Sequence, residues 1–207
     1  MEESGGKLTV GGVFSRIMVA LAGFIILVLI YFLIDARPPE GVRDILVNET
    51  LAGSAGDSVW YQKRFDQPYY TEGSRIAVTC VRYISPLNQW QISVQANVSV
   101  FRDLAEKKNL ASVPDGFSDF RFRLYDDTGR EYTSYDYADF SKTRHRYRRL
   151  IFDGVSGKGV SELTLDIYYK EETEPTVSIA IYDLNLPLEA SKDRIGDEVY
   201  PGLKHYG

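Results

Sequence analysis

QWQISVQANVSV, residues Gln89 to Val100, alternates without a break: Trp90, Ile92, Val94, Ala96, Val98 and Val100 fall on one side, and Gln89, Gln91, Ser93, Gln95, Asn97 and Ser99 on the other. A period of two belongs to extended backbone, so the stretch predicts one long strand with a buried face and a wet face. Shorter runs repeat the pattern at Ile76/Val78/Cys80, Phe120/Phe122/Leu124, Leu163/Leu165/Ile167/Tyr169 and Val177/Ile179/Ile181. Weaker strand candidates are Arg43–Val47, Ser58–Phe65, Glu131–Tyr137 and His145–Phe152. Turn residues separate these runs, at Glu72-Gly73, at Asp126-Asp127-Thr128-Gly129 and at Glu174-Pro175. About eight strands with one-sided burial predict an all-β, antiparallel, immunoglobulin-like sandwich. Arg102–Pro114 departs from the alternation and predicts one or two helical turns in a crossover between sheets.

Upstream of the strands the chain changes character. Nineteen of the twenty-two residues from Val13 to Ile34 are apolar, and none of the eighteen from Ile17 to Ile34 is charged. At about 1.5 Å of rise per residue those eighteen span roughly 27 Å as a helix, the thickness of a bilayer core. A cleaved signal peptide has a shorter apolar region, about 7–15 residues, followed closely by a small-residue site. Here Asp35-Ala36-Arg37-Pro38-Pro39 follows, so an uncleaved anchor is expected, with the bilayer as partner through residues 13–34. Lys7 and Arg16 before the helix balance Arg37 and Arg43 after it; the short tail and Arg16 at the helix edge favour a cytoplasmic N-terminus and an extracytoplasmic C-terminal domain. Gly23 is the only glycine in the span, so no small-xxx-small dimer motif is present. The expected organisation is a tail 1–12, a transmembrane helix 13–34, a Pro-stiffened linker 35–41, a β-sandwich 42–187 and a tail 188–207 without periodicity. The 173 residues beyond Ile34 suffice for one domain.

FRLYDDTGREY, residues Phe122 to Tyr132, follows the long alternating strand and precedes LTLDI, residues Leu163 to Ile167. This arrangement resembles the telokin-like immunoglobulin domains of bacterial membrane-anchored proteins and lipoproteins, over roughly Val42–Leu186. The resemblance implies a sandwich fold at the cell envelope and no single catalytic role. The lipoprotein cysteine is missing: Cys80 is the only cysteine, which leaves no intrachain disulfide.

Cys80 carries two readings. An N-terminal anchor, a β-rich outer domain and Val78-Thr79-Cys80 resemble a sortase, which implies Cys80 as nucleophile, with a histidine near the thiol and an arginine for the developing oxyanion. Sortases place that histidine before the cysteine, whereas His145 and His205 both follow it. The other reading puts Cys80 on the buried face with Ile76 and Val78.

Lys142-Thr-Arg-His-Arg-Tyr-Arg-Arg149 holds five formal positive charges in a chain of net charge −5. If the segment is extended, Lys142, Arg144, Arg146 and Arg148 share a face at roughly 6–7 Å spacing, suited to an anionic surface or an acidic protein. Asp126, Asp127, Glu131, Asp136 and Asp139 are near enough in sequence to neutralise that row. Tyr132, Tyr135 and Tyr137 form a second candidate surface, either a ring platform for a partner or sugar, or a half-buried strand. Nucleic acid is not expected, given the net negative charge. No spacing suggests a calcium loop, a zinc site, a glycosidase carboxylate pair, a phosphate loop or a dinucleotide fingerprint, so no metal or cofactor is expected. Asn48-Glu-Thr50 and Asn97-Val-Ser99 match glycosylation sequons. The expected function is a non-enzymatic, single-pass membrane protein whose sandwich binds an envelope protein or an anionic surface; a membrane-anchored cysteine transpeptidase is the alternative.

Overall fold

The structure, a computed structural model, describes residues 10–53, 60–69, 74–184, 189–191, 195 and 198–207. The chain divides into two units, Met1–Pro38 and Pro39–Gly207. In the first, α1 (Val10–Ala36) is a 27-residue helix, and its segment Phe14–Asp35 is long and apolar enough to cross a membrane. Phe14, Val19, Phe24, Leu27 and Leu33 expose their side chains, as a helix solvated by lipid requires.

The second unit opens with α2 (Glu40–Arg43) and α3 (Glu49–Ala52), then β1 (Trp60–Tyr69), β2 (Ile76–Ile84) and β3 (Gln89–Asn97). Helix α4 (Val98–Lys107) leads to β4 (Phe120–Asp126), β5 (Glu131–Tyr132), β6 (Tyr135–Ser141) and β7 (His145–Phe152). The chain continues through β8 (Leu163–Tyr169), β9 (Val177–Ile181), β10 (Glu189–Ser191) and β11 (Lys204–Tyr206). All the pairings among the described strands are antiparallel, in a seven-stranded sheet ordered β10-β1-β2-β3-β7-β6-β11 and a four-stranded sheet ordered β5-β4-β8-β9. One core fills the space between them, built from Val81, Trp90, Ile92, Leu150 and Phe152 on one side and Phe122, Leu124, Leu165, Ile167 and Ile179 on the other.

The long strand ends at Asn97, short of the expected Val100. Asn97 Oδ1 accepts a hydrogen bond from the Ser99 N–H at 3.0 Å and caps α4, which buries Phe101, Leu104 and Ala105 at helical spacing. The cap and that stripe together outcompete two further residues of alternation. The tail beyond Leu188 forms two strands, each three residues long and thus too short to show a period. Residues 43–47 form no strand: Pro39 opens α2, and the chain then runs as a strap across the outer face of the seven-stranded sheet. Ser58, Glu72-Gly73 and the N-terminal residues 1–9 lie outside the described residues.

That strap overturns the expectation of a wet face on β3. Gln89, Gln91 and Ser93 are fully buried, as are Arg82 of β2 and Arg149 of β7 beside them. Gln91 accepts the Leu46 N–H at 3.1 Å and donates to the Leu46 carbonyl at 2.7 Å. The Arg82 guanidinium donates to the Arg43 carbonyl, and Arg149 donates to the carbonyls of Val42 and Asp44. Polar side chains thus supply the strap with the partners that a neighbouring strand would otherwise give it.

Candidate binding cleft

The basic row does not exist as a row. Lys142 and Arg144 precede β7, in the turn from β6, and Arg144 is exposed. Arg146 and Arg148 occupy alternate positions of β7 opposite Ala96 and Val94, on the face that carries Leu150 and Phe152 into the core. Arg148 is 2% exposed and grips Asp139 through two bonds, Nε to Oδ1 at 2.7 Å and Nη2 to Oδ2 at 2.8 Å. Its guanidinium carbon lies 4.2 Å from the centre of the Tyr137 ring. Arg146 donates to the Lys142 carbonyl at 2.8 Å and lies 3.6 Å from Asp115.

The three tyrosines form no exposed platform. Tyr135 is 2% exposed, packs on Phe122 and Phe152 and stacks on Tyr206 at 5.1 Å; burial pushes its hydroxyl well above the usual range. Tyr137 is half-buried under Arg148, and Tyr132 donates its hydroxyl to Asp126 at 3.0 Å.

Cys80 is 7% exposed and sits opposite Ser93, which in turn faces Arg149. His145 pairs with Asn97, four residues along the ladder from that level. Two strand spacings sideways and four residues lengthwise separate Cys80 from His145 by about 16 Å. No thiol–imidazole pair forms.

A different place does gather chemistry. Four segments remote in sequence meet at a cleft of about 610 Å³: the start of α3, the beginning of β6, the end of β7 and the chain from Val199 to His205. Asn48 is its keystone. It caps α3 by accepting the Leu51 N–H at 3.0 Å, accepts from Gln89 Nε2 at 3.0 Å, and donates from Nδ2 to both Asp136 Oδ2 and Asp153 Oδ2 at 2.9 Å. Asp153 accepts from Gln89 at 2.7 Å and from the Thr50 hydroxyl at 3.1 Å. Asp136 Oδ1 stands 2.8 Å from His205 Nδ1. The two carboxylates are therefore held in fixed directions by groups that also fix the strap. Ile151, Val199, Pro201 and Leu203 line the apolar part of the cleft, with Tyr200 beside them.

Sequence reasoning missed this constellation because its members carry no common period and arrive from four places. Asn48 stood out only as a sequon, and its burial and bonding leave no room for a glycan in this fold. Among the described residues, no group of three or more His, Cys, Asp or Glu side chains is placed to hold a metal ion. Comparison with protein-family models, curated proteins and solved structures finds no match to the chain in any of the three.

Proposed function

We propose that the chain is a non-enzymatic, single-pass membrane protein that presents an immunoglobulin-like sandwich outside the cytoplasm and binds an envelope protein there. The observation that carries this reading is the junction of anchor and module: only Arg37, Pro38 and Pro39 separate a 27-residue apolar helix from a strap clamped by Arg82, Gln91 and Arg149. A module tethered so briefly works at high effective concentration against anything else in the same membrane. Pairing of Arg146 with Asp115 and of Arg148 with Asp139 neutralises two of the four cations of the expected row in place, which favours a protein partner over an anionic polymer. The separation of Cys80 from His145 gives the transpeptidase alternative no geometric support.

The test is photocrosslinking in native membranes with a benzophenone residue placed at Arg144. Recovery of one stoichiometric protein adduct supports the reading; recovery of lipid adducts alone overturns it. Protease added outside intact cells should cut the C-terminal unit, and full protection there would reverse the proposed orientation.

A further inference from the structure

We propose that the partner protein docks by strand addition: an extended segment of it pairs with the edge of β6 and displaces β11, which holds that edge as a placeholder. The inference rests on the protein-partner reading and names the surface and the segment it recognises. β6 runs for seven residues, Tyr135–Ser141, and β11 is the only strand beyond it in the order of the described sheet. β11 covers three of the seven, through the pairs Lys204↔Tyr137, His205↔Asp136 and Tyr206↔Tyr135. Beyond those pairs the ladder stops. Among the described residues no strand lies beside residues 138–141 on that side, although β7 pairs with all four on the other. An unpaired edge is a template for another strand, and β11 is short against a usual strand length of about 5–6 residues. A strand that spans all of β6 gains four more positions than β11 holds, and so replaces it.

β11 itself shows what the edge recognises. Tyr206 stacks on Tyr135 with ring centres 5.1 Å apart, and the Lys204 ammonium lies 5.8 Å from the centre of the Tyr137 ring. Between them, His205 Nδ1 stands 2.8 Å from Asp136 Oδ1. Residues two apart on a strand share a face, so Lys204 and Tyr206 meet the two tyrosines while His205 meets the carboxylate on the other side. All three β11 residues are exposed, so the strand is held by its ladder and these contacts rather than by burial of its own side chains. The partner's segment is therefore a strand with a Lys or Arg two residues before an aromatic and a hydrogen-bond donor between them. The residues that precede this triplet lie along 138–141 and lead toward the β6–β7 turn, which holds Arg144.

Photocrosslinking at Arg144 in native membranes, repeated with β11 locked in place, tests the proposal. A Cβ on Gly207 would lie 3.4 Å from Ser134 Oγ, so Ser134→Cys with Gly207→Cys brings two thiols within bonding reach across the β6–β11 pair. The same Cβ would meet His205 Nε2 at 2.7 Å and turn that ring aside, so the control is the reduced form of the same variant. Oxidation should lower protein capture about tenfold, reduction should restore it, and the wild-type chain should respond to neither. Tyr206→Ala, which removes the stack on Tyr135, should raise capture about two- to tenfold. The two changes act in opposite directions, which a general loss of structure would not produce. Should either variant fail, by misfolding or by leaving the thiols unbonded, the other decides. Sequencing of the captured peptide should find a Lys or Arg two residues before an aromatic. Equal capture in the oxidised and reduced forms, weaker capture by a natively folded Tyr206→Ala chain, or a peptide without that triplet overturns the proposal. Each of those results leaves the protein adduct in place and the protein-partner reading standing, whereas a wild-type chain without any protein adduct defeats both.

Discussion

Arg148 sits at an alternate position of β7 between Arg146 and Leu150, and that parity sends its guanidinium inward onto Asp139 and the Tyr137 ring. The charges of this segment were legible in the sequence, but their direction was not, because spacing alone does not say which face of a strand is buried. Removing one partner of such a pair strands the other, so Arg148→Ala should lower stability by about 3 kcal/mol, read from the denaturation midpoint in detergent. Cys80 was legible as a small buried residue but not by its face: a register shift between Val78 and Cys80 sets it opposite Ser93, away from the core face of Ile76 and Val78 on which the alternation places it. Iodoacetamide should therefore label it slowly in the native protein and rapidly in denaturant, and fast native labelling would contradict its burial. Two carboxyls carry a pH dependence. Partial burial opposes ionisation of Asp126, yet bonds from the Thr128 hydroxyl, the Arg130 and Thr128 N–H groups and the Tyr132 hydroxyl outweigh it and hold its carboxyl below the usual range. The Lys108 ammonium does the same for Glu172. A depressed folded-state value means stability present above the unfolded value and lost as pH falls through the folded one. Stability should thus decline as pH falls below about 5, and Asp126→Asn should flatten that acid limb when denaturation midpoints are followed by intrinsic fluorescence.

Where a strand or helix ends was less legible than whether one exists. His145–Phe152 and Leu163–Tyr169 are strands over the residues expected of them, although the burial of β7 does not alternate: Tyr147 to Phe152 are buried on both faces. Gln89–Val100 overran because Val98 and Val100 suit either period, and the Asn97 cap decides between them. The strap was invisible for another reason: its grip consists of side chains bonding to backbone carbonyls, which leaves no mark in a hydrophobic pattern. Gln91 supplies both bonds to Leu46. Gln91→Leu would leave a buried N–H and carbonyl without partners, at about 1–3 kcal/mol each. The expected outcome is local release of the strap, seen as faster tryptic cleavage after Arg43 while the rest of the second unit stays protected; unchanged cleavage would mean that Arg82 and Arg149 hold the strap alone.

The chain as a whole divides between Pro38 and Pro39, three residues before the boundary expected at Val42, and the difference has an energetic meaning. An acidic chain of 44% hydrophobic residues looked like an anchor plus a domain, and at that level the reading needed nothing beyond composition and periodicity. What composition could not show is that the first dozen residues after the anchor belong to the fold. Val42, Leu46, Val47 and Leu51 are all buried, and burial of such side chains contributes about 1.5–3 kcal/mol each. Their sum is comparable to the whole net stability of a domain, about 5–15 kcal/mol. The polar face beneath them, with Arg82, Gln89, Gln91 and Arg149, would lose its carbonyl and amide partners at the same time. A chain beginning at Pro39 should therefore be soluble and melt cooperatively at the temperature of the full-length protein in nanodiscs. One beginning at residue 54, which keeps every strand but loses the strap, should fail to fold or aggregate, and a cooperative transition in that shorter chain would show the strap to be an accessory to the sheets.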